Sequence, residues 1–264
     1  MIFEITHKIN TTVNDNLKEI QTSFNVEFLV LEKKSNFNIY EVSKTKVINK
    51  PSHENTYLTF LESLDQLTYP IKIQTTSEGK FVKLIEYKEW LEKWEENTAL
   101  LMEEYDDNKN AQDILDRFNL NVYDEKTFVQ NKFKEPFWNL IFFNPEVDDE
   151  QQSNSTTINW NIKTIGNLEC VGKTKFTTSD SGKSLLCFES QEVLDEKCIQ
   201  NIDFITNNKA NPNECKANVK VISTLDASNR KIKNKSAVFE IKTDTLFHYK
   251  EETFLNINRE TNSK

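Results

Sequence analysis

"FTTSDSGKSLLCFES", residues 176–190, decides the fold. Its Gly182-Lys183-Ser184 matches the tail of a phosphate-cradling loop, G-x-x-x-x-G-K-[ST], which lies between a strand and a helix. Read that way, the chain would be an α/β nucleotide binder. However, Thr177 stands where the first glycine belongs, and "LLCFES" alternates apolar and polar residues as a strand does. The stretch is therefore predicted to run strand, turn, strand, and no phosphate site is expected. "TTSEGK" at 75–80 nearly repeats "TTSDSGK" at 177–183, also between alternating segments. Both are read as hairpin corners that use the same turn chemistry, with Gly79 at a position that needs positive φ.

Outward from that hairpin the alternation continues. Strands are predicted at 158–165, 168–177, 183–190, 198–205, 216–225, 229–242 and 246–257, a β-meander. In the last, Phe247, Tyr249, Leu255 and Ile257 share a face that Glu251 and Thr253 interrupt. The polar, aperiodic stretch 146–157 (EVDDEQQSNSTT) is the candidate linker, so two regions are expected, 1–148 and 155–264, or one continuous domain.

In the first region, Phe3, Ile5, His7 and Ile9 share one side of an extended segment, with further strands at 24–31 and 37–48. Helical spacing appears at 54–67, where Tyr57, Leu61, Leu64 and Leu67 align. A strand, a Ser77-Glu78-Gly79 turn and a second strand follow. The clearest helix then places Tyr87, Trp90, Leu91, Trp94, Thr98, Leu101 and Tyr105 on one face, with Glu89, Glu92, Glu96 and Glu103 opposite. Shorter helices are predicted at 110–118 and 124–134, capped by Asn110 and Asp124. "PFWNLIFF", 136–143, belongs to a core, as either helix or strand. The fold class is α+β: mainly an antiparallel curved sheet or meander with several helices packed on one face.

Composition narrows the function. The 18 Phe, 7 Tyr and 4 Trp supply a core and argue against disorder. The four glycines are roughly a quarter of ordinary usage. That weighs against cofactor and nucleotide enzymes, which need glycine where backbone approaches a ligand. The net charge is −9; the acid excess lies in residues 1–150, while 151–264 are weakly basic. Nucleic acid is not an expected partner, because phosphate binding needs clustered Lys and Arg. A basic protein partner is. No signal peptide and no membrane span are predicted from the polar-interrupted N-terminus and the short apolar runs, so the chain is expected to be cytoplasmic.

Cys170, Cys187, Cys198 and Cys215 have no zinc spacing and are expected to be buried, reduced thiols. Cys170 and Cys187 lie almost symmetrically about the Ser179-Asp180 turn, which would make them neighbours across a hairpin. His7, on the apolar side of its strand, reads as a core imidazole; His53 lies in a loop and His248 on the polar face of the last strand. No metal site, no cofactor and no catalytic residue are predicted.

"MIFEITHKI" at 1–9 and "LTYPIKIQTTSEGKFVKLIEYKEWLEKW" at 67–94 together resemble a loosely defined family of cytosolic proteins from Bacteroidetes-type bacteria. These share the order YP-strand, (E/D)G turn, strand, helix with Trp, and the likeness covers about the first 150 residues. It implies no activity.

The favoured function is non-catalytic protein binding, of the adaptor, secretion-system chaperone or toxin-immunity type, with Glu89, Glu92, Glu96 and Glu103 as the contact face. The alternative is a carrier of a small apolar molecule or lipid in a cavity lined by Phe137, Trp138, Phe142 and Phe143. A third reading is a hydrolase whose site is assembled from distant residues.

Overall fold

The computed structural model describes residues 1–46, 56–105, 108–144, 155–162, 164–178, 184–226, 231–243 and 247–258. In chain order these form β1 (Ile2–Val13), β2 (Asn16–Lys33), β3 (Phe37–Lys46), α1 (Thr56–Leu67), β4 (Ile71–Thr76), β5 (Phe81–Ile85), α2 (Tyr87–Glu104), α3 (Lys109–Val122), α4 (Glu125–Lys132) and α5 (Pro136–Phe142). They continue with β6 (Ser155–Ile162), β7 (Gly166–Thr178), β8 (Ser184–Val193), α6 (Glu196–Thr206), a 3-10 turn (Pro212–Glu214), β9 (Lys216–Leu225), β10 (Ile232–Lys242) and β11 (Phe247–Asn258). The fold is α+β, with eleven antiparallel strands in one open sheet and six helices among the described residues. The strand order is β5-β4-β3-β2-β1-β11-β10-β9-β8-β7-β6.

The chain divides into two compact units, Met1–Ile2 with Phe24–Phe133 and Phe3–Ser23 with Lys134–Lys264. Most of the stretch read as a linker, 146–157, lies outside the described residues; its last three residues open β6.

In the first unit, alternation along β2 buries Phe24, Val26 and Phe28, while Val42 of β3 and Ile71 and Ile73 of β4 complete the apolar face. Phe60 and Leu64 of α1, Trp94 of α2 and Leu115 and Val122 of α3 are buried as well. Gly79 has φ +87 in the β4–β5 turn, the conformation expected of it. Asp124 caps α4 by accepting from Thr127 N. For α3 the cap is Asn108, not Asn110: its side chain accepts from Ala111 N, and the helix runs to Val122. The Asn108 side chain reaches the amide three residues on, as an N-cap does, while Ala111 and Leu115, one turn apart, both face inward.

In the second unit β1 and β2 are joined by Asn14 and Asp15, both at positive φ, the two-residue turn that follows strand twist. β7 and β8 pair so that Thr178 faces Ser184. The residues between them, including Gly182 and Lys183, lie outside the described set; Ser184 opens a strand, where a phosphate loop would lead into a helix. "PFWNLIFF" is helical, with Pro136 in the first turn.

One strand reading is corrected. Residues 198–205 form most of α6, not a strand. Asp195 accepts from Cys198 N, and Cys198, Ile199, Ile202 and Thr206 are buried at helical spacing.

This part of the sheet curls. From β11 to β6 there are five strand spacings, about 24 Å if flat. Yet Trp160 of β6 stacks on Phe239 of β10 at 5.3 Å and donates from Nε1 to Glu251 of β11 at 2.9 Å. The six strands therefore wrap around a shared interior. α5 packs against β6, β10 and β11, and α6 against β7. Gly172 permits the tight wall: a Cβ there would lie 2.3 Å from the Glu189 carbonyl oxygen and 2.7 Å from the Phe188 ring.

Candidate functional site

The acidic residues singled out from sequence sit on α2. Its inner face is a ladder of rings: Tyr87 stacks on Trp90 at 5.6 Å, Trp90 on Trp94 at 6.1 Å, and Trp94 on Phe118 of α3 at 5.4 Å. Each indole is also pinned by its N–H, Trp90 to Thr68 O at 3.1 Å and Trp94 to Asn119 Oδ1 at 2.9 Å. Tyr87 donates to Val122 O, and burial pushes its phenol up to about 12. Hydrogen bonds and stacking at successive turns leave α2 little freedom to roll.

Glu89, Glu92, Glu96 and Glu103 are all exposed on the opposite face. Glu92, Glu96 and Glu103 make no ion pair among the described residues. Lys88, one turn before Glu92, and Lys93, one turn after Glu89, flank the same exposed face. The four carboxylates outnumber these two ammonium groups, so the face is net acidic on a helix held in place.

The aromatics proposed as cavity lining lie on α5 in the second unit. Phe137 and Trp138 are buried, with ring centroids 5.1 Å apart; Trp138 stacks on Phe142 at 5.4 Å, and Phe143 meets Phe188 edge-on at 5.4 Å. They pack on one another and on the sheet. Lys235 of β10, buried, reaches the end of this helix and donates to the carbonyl oxygens of Leu140 at 2.9 Å, Ile141 at 3.2 Å and Phe143 at 2.5 Å. The cation thus satisfies helix-end acceptors, as the helix dipole favours. Burial nonetheless pushes its amine down to about 7.

The curled interior holds a polar cluster that the sequence did not reveal as a unit. Glu251, 1% exposed, accepts from His7 Nε2 at 2.5 Å, Trp160 Nε1 at 2.9 Å and the Tyr249 hydroxyl at 2.7 Å. Three donors on one carboxylate meet most of its acceptor capacity, so the cluster ties β1, β6 and β11 together. Its signals were present singly, as Glu251 on an apolar face and His7 on another. The Ser223 and Thr253 hydroxyls, also buried, have no hydrogen-bond partner among the described residues.

None of the four cysteines forms a disulfide, and Cys170, Cys198 and Cys215 are buried. Burial pushes Cys170 and Cys198 up to about 12, so both are thiols at neutral pH. The symmetry expected of Cys170 and Cys187 fails. Cys187 faces Lys175 in the ladder, five residues from Cys170, and the odd spacing puts the two on opposite faces. His248 pairs with Glu240 at 2.7 Å on the outer face, as its polar position implied, and His53 lies outside the described residues. No His, Cys, Asp and Glu group among the described residues could hold a metal, and no described helix is long and apolar enough to cross a membrane.

No protein-family model matches the chain, and no curated protein matches it.

Proposed function

We propose that the protein is a non-catalytic, cytosolic protein-binding module whose α2 face docks a basic partner. The observation that carries the reading is the row Glu89, Glu92, Glu96 and Glu103, exposed on a helix whose other face is locked by stacked rings. A rigid charged row costs little entropy to dock, and its field speeds the encounter. Reversing charge at Glu92 and Glu96 is expected to slow association with a Lys-rich helical peptide, most strongly at low salt. An unchanged on-rate removes the proposal.

A second reading, a carrier of a small apolar molecule, draws on the curled interior and its two unpartnered hydroxyls, Ser223 and Thr253. Native mass spectrometry of the purified chain separates the two. A bound lipid-sized mass supports the carrier, and a bare chain removes it.

A further inference from the structure

On the outer face of the second unit, β7, β8 and β9 carry a positive trough. Lys173 lies opposite Glu189, and Glu189 opposite Lys220, forming a row across three strands; Lys175, opposite Cys187, begins the next row. These side chains, with Val171, Thr177 and Gln191, line a cavity of about 550 Å³. Lys173, Lys175, Glu189 and Lys220 are exposed. The Glu189 carboxylate is taken by Lys220 at 2.6 Å. Lys173 and Lys175 make no ion pair among the described residues. Three cations thus face one already engaged acid, in a chain whose net charge is −9.

We propose that this trough seats the acidic α2 face of a second copy of the chain. The inference rests on the reading of α2 as a docking helix and names its partner. Charge complementarity carries it: Glu89, Glu92, Glu96 and Glu103 outnumber Lys88 and Lys93 on one surface, and Lys173, Lys175 and Lys220 outnumber Glu189 on the other. The dimensions agree. Lys173 and Lys175 are about 7 Å apart along β7, and β7 to β9 is about 10 Å. Glu92 and Glu96 are neighbours on the helix, about 6 Å apart, so both fit over the trough together. One helix face on three strands is a small contact, at the low end of specific interfaces, so the association is weak and salt-sensitive. The two surfaces differ, so the contact is head-to-tail and each added copy presents a fresh helix and a fresh trough.

Sedimentation velocity on the full chain tests this at about 20 mM and about 300 mM salt, which span long and short screening lengths. The wild type is expected to associate at low salt and to separate at high salt. E92K/E96K and K173E/K220E, all at exposed positions, are each expected to weaken association by about tenfold or more. An equimolar mixture of the two variants is expected to restore it, because reversed helix then meets reversed trough. A wild type that stays monomeric at low salt, or a mixture that fails to recover, overturns the second-copy proposal. In that event the Lys-rich peptide decides the reading beneath it. Peptide binding that still depends on Glu92 and Glu96 leaves α2 as a docking face for another partner, and binding that ignores them removes both.

Discussion

His7 and Glu251, 244 positions apart in the chain, meet at 2.5 Å between Nε2 and Oε1. The contact joins β1 to β11, and the same carboxylate reaches β6 through Trp160. The wall of the second unit is thus held by one acid as well as by its backbone ladder. Glu251→Ala leaves several buried donors unpaired, an expected loss of about 3–5 kcal/mol in urea unfolding. His7→Ala removes one donor whose side chain is 21% exposed and is expected to cost less. Equal costs for the two would contradict the tie.

Gly172 is expected to be intolerant of any side chain. Gly172→Ala places a Cβ against the Glu189 carbonyl oxygen and the Phe188 ring. Overpacking of this kind costs about 1–3 kcal/mol. Adding Phe188→Leu is expected to return part of that loss and not all of it, because the backbone clash at Glu189 remains. Full recovery would show that the ring alone sets the limit.

Lys235 gives stability a slope with pH. Burial lowers its amine from 10.5 to about 7, so between those values the unfolded chain holds a proton that the folded chain lacks. Stability therefore rises with pH across that window and is flat in this respect below it. Lys235→Met is expected to flatten the rise in denaturant midpoints between pH 7 and pH 10. A slope that survives the substitution belongs to another group.

Asp65 acts in the opposite range. Burial would raise its pKa, but Lys132 at 2.8 Å and Lys44 at 2.6 Å outweigh burial and hold it well below its ordinary 3.8. The stabilisation is complete above pH about 4 and is lost as pH falls toward the depressed folded value. Asp65→Asn is expected to lower stability at pH 7 and to leave a shallower loss on acidification, measured by thermal unfolding.

Where contacts are local, the residues announced them. Gly79 sits at the turn its neighbours demand, and the Trp90–Trp94 stripe marks α2 without ambiguity. Residues 198–205 misled, because Cys198, Gln200, Ile202 and Phe204 also fit a two-residue period. The deciding signal was the Asp195 cap and the burial of Ile199 beside Cys198. Phe204, which shares that period with Ile202, is 89% exposed. The Asn14-Asp15 turn was not among the readings, although both residue types favour the positive φ they adopt there. A curved sheet was expected, but the residues that its curl brings together were not legible. Trp160 and Glu251 meet only because five strand pairings each add twist, and no short window of sequence contains that sum. The basic trough escaped for a related reason: Lys173 and Lys220 become neighbours through Glu189 only once the β7–β8–β9 register is known.

The docking role of α2 is tested most directly by zero-length carbodiimide cross-linking to the Lys-rich peptide, read out by mass spectrometry. This reagent joins a carboxylate to an amine only when the two touch. The expected adducts concentrate on Glu89, Glu92, Glu96 and Glu103. Adducts spread evenly over other exposed acids, such as Glu27 and Glu169, would contradict the account.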